Sequence, residues 1–215
     1  MPKDIPRKQY TDLYGPTVGD RIRLGDTSLV AEIESDGTYY GDESVFGGGK
    51  TLRDGMGMKP GKTADEGVLD WVLTNAVVID PVLGIVKGDV GIKDGVIAGV
   101  GSSGNPDTMD GVDDRLVVSA NTDVLPCEGK IVTPGGIDPH VHFNSPQLAK
   151  HALASGVTTM LGGGFGGGAT TATPGKTNIE MMLRSAEHWP VNFGFYGKGN
   201  SSRPEILREQ IEWGA

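Results

Sequence analysis

The sequence predicts two architectures in series: a β-rich N-terminal portion with a sandwich-like domain, then the first three βα units of an incomplete (β/α)8 TIM-type barrel. Three observations carry this expectation. Over residues 68–130, short runs rich in Val and Ile are punctuated by turn residues roughly every eight to twelve positions, the rhythm of strands and turns. From Lys130 onward, strand-like and helix-like segments alternate, which is the grammar of a parallel sheet with crossover helices. The pattern changes at Gly135-Gly136-Ile137-Asp138-Pro139-His140-Val141-His142-Phe143, where two histidines stand two residues apart.

Bulk properties narrow the function classes. A net charge of −9 argues against nucleic acid, which calls for a basic footprint, and against anionic membrane surfaces. The single cysteine, Cys127, allows no internal disulfide and reads as a packing residue in a reducing compartment. The opening residues lack the apolar core of a signal peptide, and no later run could span a membrane, so a cytoplasmic protein is expected. The 35 glycines favour a loop-rich chain with close backbone approaches over a helical bundle.

Residues 1–67 carry Pro, Gly and charge with few apolar runs, and short strands are expected at 21–24 and 30–33. In Gly47-Gly48-Gly49-Lys50-Thr51 the earlier Gly that a phosphate loop requires falls on Ser44, which excludes that reading. Residues 59–67 read as an exposed linker. Residues 68–130 are expected to form several antiparallel strands of a sandwich-like domain: a strand over 71–80, a hairpin turning at Asp94-Gly95, a solvated acidic loop over 107–114, and a short strand from Val124 to Pro126.

The third segment, 131–215, opens on the histidine strand. Residues i and i+2 of a strand share a face, roughly 6.5–7 Å apart along it. Two imidazoles placed so can converge on one metal ion at about 2.0–2.1 Å each. Asn144 or Ser145 is expected to cap a helix with Pro146 in its first turn and Leu148, Ala149, Ala152 and Leu153 on its apolar face, ended by Gly156. A strand over 157–161 leads into a Gly-rich loop over 162–168. Capping boxes at Thr177/Glu180 and Ser202/Glu205 predict helices to about His188 and to Trp213, on either side of a strand over 191–196. Gly175-Lys176-Thr177 fails as a phosphate loop because the required earlier Gly is Thr170. His151 and His188 lie on helices and read as surface or packing residues.

The strings Tyr14-Gly15-Pro16-Thr17-Val18-Gly19-Asp20-Arg21-Ile22-Arg23-Leu24, Phe46-Gly47-Gly48-Gly49-Lys50 and Arg53-Asp54-Gly55-Met56-Gly57 resemble the opening of the large (alpha) subunit of urease. The β-rich segment followed by Gly-Gly-Ile-Asp-Pro-His-Val-His is similar to the layout of the amidohydrolase superfamily, to which urease belongs. The resemblance implies a nickel-dependent hydrolysis of urea to ammonia and carbamate at a dinuclear Ni²⁺ site. His140 and His142 match the family's first pair of metal ligands, and Ala169 matches the alanine whose backbone carbonyl faces the substrate. The family's bridging carbamylated lysine, two further histidines, aspartate, and flap with its cysteine and catalytic histidine are expected beyond Ala215. This chain is therefore expected to hold no catalytic residue and to be inactive alone. Implied partners are urea, the beta and gamma (small) subunits of urease, accessory nickel-delivery proteins, a complementing C-terminal chain, and further copies in an oligomer.

The chemistry agrees with the resemblance. Urea is a poor electrophile because both nitrogens donate into its carbonyl, so hydrolysis at neutral pH benefits from a Lewis acid and a metal-activated water. Imidazole and oxygen ligands suit nickel or zinc, and residue chemistry alone does not choose between them. Three departures from the family pattern concern loop detail: Ala172 before Thr173 where Cys is common, a shorter segment over 162–175, and Asn144-Ser145 after the histidines. Two other readings compete. A dihydroorotase- or hydantoinase-like metal amidohydrolase shares Gly-x-Asp-x-His-x-His but not the block from Tyr14 to Met58. A non-catalytic, truncated assembly or metal-binding module would bind without turnover.

Overall fold

The computed structural model describes residues 4–145, 147–164 and 170–215. The chain divides into two compact units, Met1–Pro134 and Gly135–Ala215.

The first unit begins with helix α1 (Arg7–Tyr14), which the sequence does not announce because it buries a single residue, Tyr10. Pro6 precedes it, and Gly15 ends it in a positive-φ conformation (79°). The helix is held from a distance. The Tyr10 hydroxyl donates to Glu43 Oε1 at 2.6 Å and accepts from Lys87 Nζ at 3.3 Å. Lys87 is fully buried, lies 5.1 Å from the centre of the Tyr10 ring and 3.7 Å from Asp36 Oδ2. Strands β1 (Arg21–Arg23) and β2 (Val30–Glu32) pair antiparallel as a two-stranded ribbon. The alternation expected there is present, with Ala31 and Ile33 buried and Val30 exposed.

The remaining strands of this unit form one six-stranded mixed sheet: β3 (Ser35–Asp36), β4 (Trp71–Asp80), β5 (Gly84–Lys93), β6 (Val96–Gly101), β7 (Asp123–Pro126) and β8 (Ile131–Val132). This corrects the expectation of antiparallel strands alone. β4, β5 and β6 are antiparallel neighbours, but β7 and β8 both run parallel to β4, and β3 runs parallel to β5. The excursion over residues 102–122 carries the chain back to the start of β4, where Trp71 pairs with Asp123, so the returning strand enters in the same direction. The hairpin between β5 and β6 turns on Asp94 and Gly95, both at positive φ (51° and 76°), as a tight two-residue connection demands. β4 is interrupted between Leu73 and Ala76, where Asn75 adopts φ 54° and donates its backbone N–H to Asp89 Oδ1 at 2.7 Å.

Leu52 and Met58 share a core cluster with Leu69, Val72, Leu116 and Val118. The change of pattern near residue 67 thus lies inside one compact unit. At that position Thr63 and Glu66 form a capping box around a short 3-10 turn on an exposed stretch. Cys127 is buried with Ala76, Val78 and Val90, and burial raises its thiol pKa, as suits a packing residue.

The second unit is a three-stranded parallel sheet in the order β9 (Gly136–His142), β10 (Val157–Gly163), β11 (Asn192–Phe195). Helices α2 (Leu148–Ala154), α3 (Lys176–Ala186) and α4 (Pro204–Glu212) follow the strands in alternation. The strand–helix order is that expected; the caps differ. Gln147, Gly175 and Arg203 occupy the N-cap positions, and none makes a side-chain cap bond. Thr177 lies inside α3, whose first turn is held by Asn178 Nδ2 donating to the Pro174 carbonyl. Ser201, not Ser202, accepts the Arg203 backbone N–H, and Pro204 starts α4 with a pre-set φ. Leu153 is exposed rather than part of the α2 face, Gly156 follows α2 at φ 78°, and α3 stops at Ala186, short of His188. The expected role of Pro146 falls outside the described residues. No helix among the described residues is long and apolar enough to cross a membrane.

Candidate metal centre

The histidine strand is β9, and its geometry follows from its residues. Val141, 6% exposed, points into the packed side of the sheet. Next to it on that side, Phe143 meets Phe193 and Phe195 with ring centroids 5.6 and 5.3 Å away. These three rings, with Leu148, Met182 and Trp189 from the helix side, line an apolar cavity of about 190 Å³. None of the side chains lining it is titratable.

His140 and His142 alternate with Val141 and are both exposed. Their ring centroids are 5.5 Å apart with planes inclined by 59°. A metal held at about 2.0–2.1 Å by one nitrogen of each ring leaves the centroids roughly 5–6 Å apart, so the pair fits a shared ion. The backbone N–H of His140 donates to Asp138 Oδ1 at 3.1 Å, which ties the ring-bearing residue to the side chain two positions earlier. The β9–β10 register shifts between the pairs Met160↔Asp138 and Gly162↔Val141, placing one extra residue in β9 around Pro139. Proline cannot donate to a ladder and is tolerated where the ladder is interrupted.

The glycines after the second strand have a packing role that sequence reasoning assigned to a loop. Gly162 and Gly163 belong to β10 itself. A Cβ on Gly162 would run into the Val141 carbonyl oxygen, and one on Gly163 would meet the Ala172 backbone. The close approach keeps β9, which carries the histidines, tight against β10. Beyond it, the fully buried Thr173 accepts from Gly164 N–H at 3.2 Å and donates to Gly164 O at 3.1 Å. Its own N–H donates to Tyr196 O at 2.7 Å.

Of the residues expected at the site, His140 and His142 come together. Ala169 lies outside the described residues, as does most of the expected loop. His151, on α2, and His188, past α3, are exposed. Among the described residues, no group of three or more His, Cys, Asp and Glu side chains is placed to hold a metal. Sequence reasoning missed one neighbour of the pair. Tyr196 follows β11, and its hydroxyl donates to the carbonyl of Pro139 at 3.2 Å, beside His140. The signal was available: in an extended run Tyr196 must face away from Phe195, hence toward the histidine side.

Residues 3–125 match the family model for the urease alpha-subunit N-terminal domain. The chain belongs to the urease alpha-subunit family. Residues 131–215 match the amidohydrolase family, the part that carries the histidine strand. The urease subunit alpha of Natronomonas pharaonis is 68% identical over 215 residues, all of this chain and 38% of that protein. The same subunit of Haloquadratum walsbyi is 64% identical over 215 residues, again all of this chain and 38% of that protein. That of Haloarcula marismortui is 64% identical over 214 residues, covering 37% of its length. The urease-family chain thus spans less than two fifths of these relatives. Among solved structures, L-hydantoinase (dihydropyrimidinase) from Arthrobacter aurescens aligns with a TM-score of 0.52 at 22% identity, over 68% of this chain and 32% of that one. At that identity the likeness shows an amidohydrolase-like fold alone.

Proposed function

We propose that this chain is part of a nickel-dependent urease that hydrolyses urea to ammonia and carbamate, and that His140 and His142 are the first two ligands of its dinuclear metal site. The observation that carries the proposal is the imidazole pair, 5.5 Å apart at the C-terminal end of the first strand of a parallel sheet, in a chain of the urease alpha-subunit family. Active sites of β/α barrels gather at that end of the strands. The three βα units fit the start of such a barrel, with 1–67 and 68–130 as the segments before it.

When bound, the nickel ions supply Lewis-acid polarisation of the urea carbonyl and an activated water at neutral pH. The chain's own residues do the positioning. His140 and His142 present one ring nitrogen each, and Val141 between them anchors the strand by burial. Asp138 holds the His140 backbone. As the family implies, the backbone carbonyl of this chain's own Ala169 contacts the substrate, and the remaining ligands, the general acid and base, the beta and gamma subunits and the nickel-delivery proteins are supplied from beyond these residues. Nickel is preferred over zinc on that family ground alone.

The test is made on the assembled, nickel-loaded protein, with metal content and urea turnover measured for His140→Ala and His142→Ala. Each substitution is expected to lower bound nickel by half or more and to abolish turnover. Full nickel content with near-normal turnover in either variant would refute the assignment.

A further inference from the structure

We propose that Tyr196 is a positioning residue of the histidine site, acting through the Pro139–His140 peptide. The inference rests on the reading of His140 and His142 as metal ligands, and deepens it.

Three contacts place Tyr196. Its backbone N–H donates to the Gly162 carbonyl at 2.8 Å, and its carbonyl accepts from the buried Thr173 at 2.7 Å. The residue is thus fixed at both ends of its peptide, immediately after β11. Phe195 before it is 4% exposed and packs on Phe143, so the Tyr196 ring is directed to the opposite face, where it is 42% exposed. From there the hydroxyl spans the width of the sheet and donates to the Pro139 carbonyl at 3.2 Å. That carbonyl belongs to the peptide whose N–H is on His140 and which donates to Asp138 Oδ1 at 3.1 Å. One peptide plane is therefore gripped on both sides, by a phenol on its oxygen and a carboxylate on its nitrogen.

The grip falls where β9 needs it. The extra residue around Pro139 breaks the regular ladder with β10, and Pro139 has no N–H to restore it. Without the phenol, Asp138 is the side-chain partner that remains on the plane that sets the His140 side chain. A ligand ring a fraction of an ångström out of place loosens a metal site, and outer partners of ligating histidines commonly matter tenfold or more. The phenol is held by a half-exposed residue, so a smaller effect of about threefold to tenfold is expected.

The test uses Tyr196→Phe, which removes the hydroxyl and leaves the ring, in the assembled nickel-loaded protein, with His140→Ala as reference. The expected result is nickel release to a competing chelator about threefold to tenfold faster than wild type, a kcat for urea lower by a similar factor, KM within twofold, and an unchanged melting temperature. Wild-type release and kcat in Tyr196→Phe overturn the proposal, provided His140→Ala loses nickel. A lowered melting temperature with wild-type nickel retention also overturns it, by assigning Tyr196 a role in the fold alone. Should His140→Ala itself keep its nickel, the ligand assignment fails first and the proposal falls with it, and the reference variant shows which of the two has failed.

Discussion

Asp89 gives the sharpest quantitative test of the first unit. It is fully buried, and its carboxylate accepts three hydrogen bonds: from Asn75 N–H at 2.7 Å, Ser103 N–H at 2.9 Å and the Ser103 hydroxyl at 2.7 Å. Burial disfavours the charged form, the three donors favour it, and burial wins, pushing the group from 3.8 up to about 6. A carboxyl whose folded pKa is raised stabilises the fold when protonated. Its contribution is fully present below pH 3.8 and is lost as pH rises through about 6. At roughly 1.4 kcal/mol per pH unit, the gap between the two values amounts to about 3 kcal/mol. Asp89→Asn removes the titration, so the variant's stability lacks this limb. Guanidinium chloride unfolding of both proteins between pH 4 and pH 7 reads the difference directly, and urea is avoided as denaturant because it is the proposed substrate. Wild type is expected to lose about 2 kcal/mol, most of that gap, relative to Asp89→Asn across that range. A constant difference, or a wild type that gains on the variant as pH rises, would refute the reasoning, the latter by showing that the three donors outweigh burial.

Two more substitutions probe the second unit. Gly162→Ala forces a methyl against the Val141 carbonyl oxygen, so β9 and β10 must separate. A loss of about 1–3 kcal/mol in unfolding free energy is expected, together with reduced nickel content, and an unshifted unfolding midpoint would show that the strands absorb the methyl. Gln210→Leu removes a side chain that is 2% exposed and makes four hydrogen bonds, accepting from Gly175 N–H and Lys198 N–H and donating to the carbonyls of Lys198 and Ile206. About 2–4 kcal/mol of stability should be lost, with faster amide hydrogen exchange at Gly175 and Lys198; unchanged exchange at both amides would count against Gln210 as the clamp.

Much of this was legible in the residues. β4 spans the expected Trp71–Asp80 because Val77, Val78 and Ile79 favour a pleated, buried strand. The hairpin at Asp94-Gly95 forms because the two-residue connection needs positive φ at both positions. The histidine pair was visible because period-two placement survives wherever the strand survives. Three features were not legible, each for a non-local reason. Helix α1 depends on Tyr10 meeting Glu43 and Lys87, 33 and 77 residues away in sequence. The parallel entry of β7 and β8 beside β4 depends on where the 102–122 excursion returns, which local pattern does not encode. The boxes at Thr177 and Ser202 had the right letters, but Gly175 and Pro204 set where the helices begin. Tyr196 was overlooked as a site residue because its partner, Pro139, lies 57 residues earlier and two strands across.

The pairing of β4 with β8 has a consequence for synthesis on the ribosome. β4 and β5 are joined by a short turn and can close on each other as soon as both emerge. The opposite edge of β4 has no partner until the chain reaches Asp123, and Val77 and Val78 have none until Ile131 and Val132 appear. At about 5–20 residues per second, that edge waits roughly 3–10 s after β4 is made. During that interval a valine-rich strand edge is open to other nascent chains. The first unit therefore has a built-in period of vulnerability, set by the order in which its strands are translated.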